Sequence, residues 1–222
     1  PNRRGMAKRG AFIVLEGLDR SGKSTQVARL TELLNGKGIK AAALNFPNRT
    51  TDTGAVINAY LQSGKELDDA AIHLLFSANR WEAAKGLRTR LNDGETLVVD
   101  RYAFSGVAFS AAKGTLSMDW CKGPDRGLPK PDLVLFLDVS AEVAKTRGGY
   151  GEERYEKQEF QEKVRQAFEK LRSGDADTNW QVVDANQPLD AVSDLIAAQA
   201  MQVVEKAGAS PLSTLWGDAA TI

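Results

Sequence analysis

The chain has 222 residues, a length that favours one large domain or at most two small ones. Lysine plus arginine and aspartate plus glutamate both number 29, and this zero net charge argues against a protein that binds the phosphate backbone of nucleic acids. A single cysteine, Cys121, excludes an internal disulfide and a cysteine-rich zinc site, and a single histidine, His73, leaves little for a histidine-built metal site.

The N-terminal residues, 1–9, are basic and lack the apolar segment of a secretory signal peptide. We expect them to form a disordered tail or an addition left by cloning, with Met6 as the native start. The most apolar runs, at 12–15 and 133–137, are far shorter than the roughly 18–20 residues that span a bilayer. We therefore expect a cytoplasmic chain without membrane contact, with a nuclear or mitochondrial pool left open.

Short aliphatic runs alternate along the chain with longer helical patterns. We predict strands at 11–16, 39–46, 95–99, 132–138 and 179–183. We predict helices at 23–36, 53–63, 68–92, 103–112, 140–146, 156–173 and 188–206. The first, third and fourth strands are continuously apolar, which is typical of strands buried on both faces of a parallel sheet. The pattern predicts an α/β fold with a central parallel sheet flanked by helices, in a single domain over 10–216.

A glycine-rich loop joins the first predicted strand to the first predicted helix. It matches G-x-x-x-x-G-K-[ST], in which backbone N–H groups and the helix N-terminus face a phosphate. Lys23 is expected to reach the β and γ phosphates of ATP, and the Ser24 hydroxyl to hold Mg²⁺. The expected nucleotide-binding residues of this loop are Gly17, Ser21, Gly22, Lys23, Ser24 and Thr25. The motif indicates a P-loop nucleotide-binding domain, but by itself it does not separate kinases from GTPases, motors or pumps.

Two of the variable positions of the phosphate loop are charged. Asp19 would repel ATP unless it has another partner, such as a substrate hydroxyl or a metal-bound water. Arg20 is long enough to reach the transferring phosphoryl group and stabilise its developing charge, as an arginine finger does. The loop therefore contains a candidate catalytic arginine.

Asp100 and Arg101 follow the third predicted strand. Ligands of open α/β sheets bind at the carboxyl ends of the strands, so both side chains are expected in the site. Asp100 is a candidate Mg²⁺ ligand or proton acceptor, and Arg101 a candidate phosphate ligand. A guanine-recognition Asn-Lys-x-Asp sequence is absent from the chain, which disfavours a GTPase.

Five motifs together resemble the thymidylate kinases of eukaryotic type, over about residues 10–216. They are Glu16-Gly-Leu-Asp-Arg-Ser-Gly-Lys-Ser-Thr25, Asn45-Phe-Pro-Asn-Arg49, Leu74-Leu-Phe-Ser-Ala-Asn-Arg-Trp81, Val99-Asp-Arg-Tyr-Ala-Phe-Ser-Gly-Val-Ala-Phe109 and Gly127-Leu-Pro-Lys-Pro-Asp132. The chain departs from the family pattern at position 48, which is Asn where an acidic residue is more usual.

The resemblance implies a three-layer α/β P-loop kinase fold and an acceptor site for dTMP. Phe76 would stack on thymine, Arg80 would bond a base carbonyl, and Asp19 would hold the 3′-hydroxyl. Phe109 and Tyr155 would crowd a 2′-hydroxyl. The implied substrate-binding residues are Asp19, Phe46, Arg49, Phe76, Arg80, Asp100, Arg101, Ser105, Gly106, Phe109 and Tyr155.

The family divides by whether its catalytic arginine lies in the phosphate loop or in a lid, and Arg20 places this chain in the first group. The glycine-rich lid is expected at 147–155, where Arg147 would grip ATP phosphates, and Asp184-Ala185 resembles the adenine-side loop. The expected catalytic residues are Arg20, Lys23, Asp100, Arg101 and Arg147, with Ser24 and Asp100 as metal ligands.

The function expected from these residues is ATP-dependent phosphorylation of dTMP to dTDP with Mg²⁺, in dTTP synthesis. Partners are expected to be ATP, dTMP and, by resemblance, a second copy of the chain in a homodimer. The alternatives are another nucleoside or nucleoside monophosphate kinase, a P-loop ATPase switch and a non-catalytic nucleotide-binding module. His73 is expected to be a residue near the core or a dimer contact, and Cys121 a packing residue.

Overall fold

The computed structural model describes residues 8–147, 154–155 and 157–217. The strands are β1 (Phe12–Gly17), β2 (Ala41–Asn45), β3 (Thr96–Asp100), β4 (Leu133–Asp138) and β5 (Trp180–Asp184). They form one sheet in the order β2-β3-β1-β4-β5, and every neighbouring pair is parallel. The helices are α1 (Lys23–Gly36), α2 (Asp52–Leu61), α3 (Asp69–Asn92), α4 (Ala103–Ala111), α5 (Met118–Lys122), α6 (Ala141–Thr146), α7 (Gln158–Ser173) and α8 (Leu189–Ala207).

The predicted α/β fold with a parallel sheet is confirmed. Each predicted strand and helix is present, with bounds shifted by two residues or fewer. The sequence pattern does not predict α5 or the 3₁₀ turn Gly123–Asp125 that follows it. Helix α5 has five residues and begins where the Ser117 hydroxyl accepts from the Trp120 N–H at 3.2 Å. A helix this short shows too little periodicity to be detected.

Alternate residues of β1 point to the two sides of the sheet and divide the core. Phe12 and Val14 pack with residues of α3, α4 and α7 on one face, and Ile13 and Leu15 pack with α1 and α8 on the other. These four side chains are fully buried. Burial of the central strand on both faces explains its continuous apolar run.

The carboxyl ends of the strands lie at one edge of the sheet. Asp100 at the end of β3 is paired in register with Leu15 of β1 and with Asn45 of β2, and Gly17 is paired with Leu137 of β4. The loops that follow these strands therefore start side by side, which is where ligands of such sheets bind.

Two predicted segments lie partly outside the described residues. Of the predicted tail, residues 8–9 are described, and Arg9 belongs to the folded domain, because it forms an ion pair with Asp132 at 2.7 Å and donates to the Ser210 carbonyl at 2.7 Å. Of the predicted lid at 147–155, residues 148–153 are outside the described residues. Within the described part of the chain, helices long and apolar enough to cross a membrane are absent.

Candidate active site

A cleft of about 540 Å³ opens at the carboxyl edge of the sheet. The predicted site residues that line it are Asp19, Arg20, Gly22, Lys23, Ser24, Thr25, Phe46, Arg49, Phe76, Arg80, Asp100, Arg101, Ser105, Gly106, Phe109, Arg147 and Tyr155. The predicted residues outside this lining are Gly17, Ser21, Asp184 and Ala185. The cleft thus brings the phosphate loop together with the carboxyl ends of β2 and β3 and with Phe76 of α3 and Phe109 of α4.

The phosphate loop holds its lysine against its own backbone. Gly22, with a φ of +94°, precedes α1, and Lys23 Nζ donates to the Leu18 carbonyl at 2.6 Å and to Ser21 Oγ at 3.1 Å. Burial lowers the pKa of Lys23 to about 8, and the nearby Arg101 guanidinium acts in the same direction. An incoming phosphate would favour the charged lysine, so the loop is suited to bind an anion.

Ser24 and Asp100 meet at the base of the cleft. The Ser24 hydroxyl donates to Asp100 Oδ2 at 2.5 Å. Asp100 Oδ1 is buried and has no hydrogen-bond partner among the described residues. Hydroxyl and carboxylate oxygens are the ligands that Mg²⁺ prefers, so this pair has the donor chemistry of a magnesium site. Clusters of three or more potential metal-ligating His, Cys, Asp or Glu side chains are absent from the described residues.

Arg101 is held by three neighbours at the end of β3. Its NH1 donates to the Gly17 carbonyl at 3.0 Å and to Ser105 Oγ at 3.2 Å, and its NH2 forms an ion pair with Asp19. The guanidinium also lies over the Phe109 ring, 5.1 Å from the centroid. The acid inside the phosphate loop thus has a positively charged partner, which relieves its repulsion of a bound nucleotide.

Gln161 of α7, which the sequence does not single out, supports the site from outside the cleft lining. Its Nε2 donates to Asp19 Oδ2 at 2.7 Å and to the Tyr155 carbonyl at 2.8 Å, while its Oε1 accepts from the Asp19 N–H at 3.1 Å. Gln161 therefore ties the phosphate loop to the segment that carries Tyr155. A single glutamine on a charged helix gives no sequence signal for this role.

Arg147 connects the phosphate loop to the end of β5. Its NH1 donates to the Arg20 carbonyl and its NH2 to the Ala185 carbonyl, both at 2.8 Å. Asp184 accepts hydrogen bonds from Asn186, which lowers the pKa of the Asp184 carboxyl. The predicted adenine-side residues, Asp184 and Ala185, therefore lie outside the cleft lining, and Ala185 is connected to the cleft by its hydrogen bond with Arg147.

Helix α3 contributes Phe76 and Arg80 to one wall of the cleft. The Nε and NH2 of Arg80 donate to the two carboxylate oxygens of Asp125 at 3.1 and 2.7 Å. Asp125 is fully buried and also accepts from the Ser77 hydroxyl at 2.7 Å. A Cβ on Gly106 would lie 2.7 Å from Arg80 NH2, so the absence of a side chain lets the guanidinium rest on α4. Asp125 lies in the missed 3₁₀ turn.

The turn that carries Arg49 is anchored by Asn79 of α3. Asn79 accepts from the Asn48 N–H at 2.7 Å and donates to the Asn48 carbonyl at 3.1 Å. The Asn48 side-chain oxygen accepts from the N–H and hydroxyl of Thr50 at 3.1 and 2.7 Å. An acidic side chain would accept the same bonds, so Asn48 preserves the acceptor role at the position where the chain departs from the family pattern. Arg49 NH1 donates to Asn58 Oδ1 at 2.8 Å.

Aromatic rings surround Tyr155. Its ring is stacked on Phe160 at 5.2 Å and lies 5.6 Å from Phe109, and its hydroxyl donates to Tyr60 at 3.2 Å. Burial raises the pKa of Tyr155 far above its ordinary value. The neighbouring Arg154 forms an ion pair with Glu66 at 2.6 Å. Tyr155 therefore presents a neutral, fixed ring to the cleft.

Glu16, at the end of β1, is a second residue that the sequence does not single out. It is fully buried, and its Oε1 accepts from the N–H groups of Tyr102 and Ser105 at 2.9 and 3.1 Å. Its Oε2 accepts a hydrogen bond from the Ser105 hydroxyl, which also accepts from Arg101. Burial raises the pKa of Glu16, against the effect of these bonds and of Arg101. Its position before the glycine-rich loop is the only sequence signal for this role.

Comparison with known proteins agrees with this geometry. The family profile described as thymidylate kinase matches residues 15–196. The thymidylate kinase of Homo sapiens is 50% identical over 210 residues, with 95% of this chain and 99% of that protein covered. The thymidylate kinase of Arabidopsis thaliana is 51% identical over 209 residues, with 94% of this chain and 78% of that protein covered. A solved thymidylate kinase structure from Candida albicans superposes with a TM-score of 0.85 at 37% identity, over 93% of this chain and 98% of that one. This chain belongs to the thymidylate kinase family.

Proposed function

We propose that this chain transfers the γ-phosphoryl group of ATP to dTMP and yields ADP and dTDP, a step in the synthesis of dTTP. The observation that carries this proposal is that one cleft contains both Lys23 of the phosphate loop and a wall formed by Phe76 and Arg80. The distinctive residues of the acceptor wall favour dTMP kinase over the other P-loop functions considered from the sequence.

Each end of the cleft suits one substrate. The phosphate loop binds the donor, and a dTMP base would stack on Phe76 while Arg80 donates to a base carbonyl. Asp125 neutralises the charge of Arg80, which suits a neutral carbonyl better than a phosphate. Arg49 and Arg101, also in the lining, are assigned to the acceptor phosphate. This arrangement would hold the two substrates in line, and phosphoryl transfer needs chiefly positioning and charge neutralisation.

We assign the metal site to Ser24 and Asp100, whose donor atoms fit Mg²⁺. When bound with ATP, Mg²⁺ would neutralise charge on the phosphate oxygens. We assign transition-state stabilisation to Arg20, with Lys23, Asp100, Arg101 and Arg147 as further catalytic residues. Arg147 bonds the Arg20 carbonyl, so it also supports the backbone of that arginine.

The oligomeric state is proposed from the family resemblance, and the compartment is proposed from the amino-acid composition. We propose a homodimer, as the family resemblance implies, and sedimentation equilibrium of the purified chain tests it. We propose the cytoplasm, because a chain with a single cysteine can form no internal disulfide, which fits a reducing compartment. Fractionation of cells that express the tagged chain tests this assignment.

A coupled assay of ADP release across acceptors tests the function. We expect turnover with dTMP and Mg²⁺, and little turnover with thymidine, with dCMP or without an acceptor. Activity on thymidine but not on dTMP would indicate a nucleoside kinase instead. Rapid ADP release without any acceptor would indicate an ATPase.

A further inference from the structure

His73 lies behind the acceptor wall and is fully buried. It is on α3, seven residues before Arg80, and it joins this helix to α4 and α5. Its Nδ1 lies 2.8 Å from the Ser110 hydroxyl, and its Nε2 lies 2.9 Å from the Cys121 carbonyl oxygen. The sequence predicts that His73 lies near the core or at a dimer contact, and its burial agrees with a place near the core, but both ring nitrogens have specific partners.

These two contacts fix the tautomer of the ring. A carbonyl oxygen is only an acceptor, so Nε2 must carry the proton, because the other tautomer would set two lone pairs against each other. Burial lowers the pKa of His73, and the positive charge of Arg80 acts in the same direction. The negative charge of Asp125 and hydrogen bonds with the backbone of Cys121 and Gly106 act in the opposite direction, but the pKa remains below its ordinary value. The ring is therefore neutral near pH 7, and with the proton on Nε2 its Nδ1 accepts a hydrogen bond from the Ser110 hydroxyl.

The direction of this hydrogen bond determines what Ser110 offers to the cleft. Ser110 lines the cleft and lies one turn of α4 beyond Gly106, which contacts the Arg80 guanidinium. Because the Ser110 proton is bonded inward to His73, the hydroxyl presents only lone pairs to a ligand. Arg80 can only donate. The wall therefore combines a fixed donor with a fixed acceptor.

We propose that His73 is a positioning residue that sets Ser110 as a hydrogen-bond acceptor for a ring N–H of the acceptor base. This proposal rests on the proposed function, which places the base against this wall. A donor next to an acceptor matches a base with a carbonyl beside a ring N–H, as in thymine or uracil. It mismatches cytosine, which has an amino group beside a bare ring nitrogen. His73 thus contributes to base choice without contacting the base.

Two amide substitutions separate this role from a structural one. The amide of His73→Asn lies near the position of Nδ1 and can still accept from Ser110. The amide of His73→Gln lies near the position of Nε2 and can still donate to the Cys121 carbonyl. We would measure dTMP binding by calorimetry without ATP, then kcat and KM for dTMP, dCMP and ATP, and thermal unfolding of each variant.

We expect His73→Gln to weaken dTMP binding about tenfold and to narrow the preference for dTMP over dCMP, with kcat and the KM for ATP within about twofold. His73→Asn should keep dTMP binding within about threefold of the unsubstituted protein. The reverse pattern, with normal binding in His73→Gln and loss in His73→Asn, would overturn the proposal, because it would show that only the contact with Cys121 matters.

Ser110→Ala provides an independent test if a His73 variant fails to fold. It removes the acceptor, so dTMP binding should weaken about tenfold, and His73→Gln in that background should add little further loss. Unchanged dTMP binding in Ser110→Ala, or additive losses in the double variant, would contradict the proposal. If the unsubstituted protein itself neither binds nor phosphorylates dTMP, the proposed function fails instead.

Discussion

Arg20 and Arg101 both have a left-handed backbone, with φ values of +63° and +64°. Such a conformation costs of order 1–3 kcal/mol in a residue other than glycine and persists only where the surroundings enforce it. Arg101 is held by its bonds to Gly17, Asp19 and Ser105, and the Arg20 carbonyl is held by Arg147. Both strained positions border the cleft, and strain of this kind is common at functional sites.

The left-handed backbone of Arg20 makes Arg20→Gly a clean test of catalysis, because glycine adopts this conformation without strain. Charge on the transferring group is greatest in the transition state, so kcat should fall while both KM values change little. We expect a loss of about 10³-fold, at the lower end of the range for arginine fingers, since Arg101 and Arg147 remain nearby. Steady-state kinetics of Arg20→Gly measure this loss.

Arg147→Gly is the comparison for this prediction. The Arg147 guanidinium bonds two backbone carbonyls, so its loss should affect the KM for ATP as well as kcat. Normal kcat in Arg20→Gly, together with a collapse of kcat in Arg147→Gly, would move the catalytic role from the phosphate loop to Arg147.

Lys23 should make ATP binding depend on pH. Its pKa in the folded protein is about 8, below the 10.5 of an unperturbed lysine, so above pH 8 the folded protein holds fewer protons than the unfolded chain. Stability should therefore rise with pH between about 8 and 10.5. Bound phosphates favour the charged lysine, so ATP binding above pH 8 takes up a proton and weakens as pH rises, by up to about tenfold per unit.

Calorimetric titration with ATP at several pH values, in buffers of different ionisation heat, measures this proton uptake. Lys23→Met should bind ATP weakly and without the pH dependence. Lys85→Met, which changes an exposed lysine of α3, should behave as the unsubstituted protein does. An ATP affinity that stays constant from pH 7.5 to 9.5 would show that Lys23 does not titrate in this range.

At the scale of elements, Glu16 connects the end of β1 to the first turn of α4. It accepts bonds from the Tyr102 and Ser105 N–H groups, which lie at the start of that helix, and from the Ser105 hydroxyl. Glu16→Ala would leave these buried donors without a partner, at about 1–3 kcal/mol for each unsatisfied group. We expect the free energy of unfolding to fall by about 3 kcal/mol, measured by urea denaturation.

Glu16→Gln is the matched variant, because its amide oxygen still accepts from both N–H groups. It should lose much less stability than Glu16→Ala. Ser140→Ala removes the half-buried N-cap of α6 and should cost about 1 kcal/mol, the usual value of a cap. A loss in Glu16→Ala no greater than in Ser140→Ala would contradict the buried link between β1 and α4.

The sequence predicts the elements and the strand-end residues of the site, because both depend on local patterns. Lys23 and Asp100 follow buried apolar strands, and parallel pairing brings such ends together. Asp125 and Gln161 could not be predicted, because each acts on a residue more than 40 positions away. On its own helix or turn, a polar side chain of this kind is indistinguishable from one that faces solvent. Helix α5, which precedes Asp125, has five residues, too few for the helical periodicity of apolar residues to be recognised in the sequence.

At the scale of the whole molecule, the C-terminal segment closes the core behind the cleft. The Leu215 N–H donates to the Leu128 carbonyl at 2.8 Å, and the Leu215 carbonyl accepts from the Gly127 N–H at 3.0 Å. Trp216 packs edge-on against Phe104 of α4, with the ring centroids 5.4 Å apart. The same helix carries Phe109 on the cleft side. Leu215 and Trp216 therefore support the helix that forms one wall of the site.

Leu215 is fully buried, so its truncation tests this support directly. Leu215→Ala removes buried methyl groups, and we expect a loss of about 2–5 kcal/mol in the free energy of unfolding. For a chain of this length, each kcal/mol lowers Tm by roughly 2–4 °C. Leu212 is only half-buried in the same segment, so Leu212→Ala should cost clearly less. Because neither side chain lines the cleft, kcat and KM at 25 °C should stay within about twofold of the unsubstituted values, as expected for a purely structural change. A loss of Tm in Leu215→Ala as small as that in Leu212→Ala would contradict a role of Leu215 in the core.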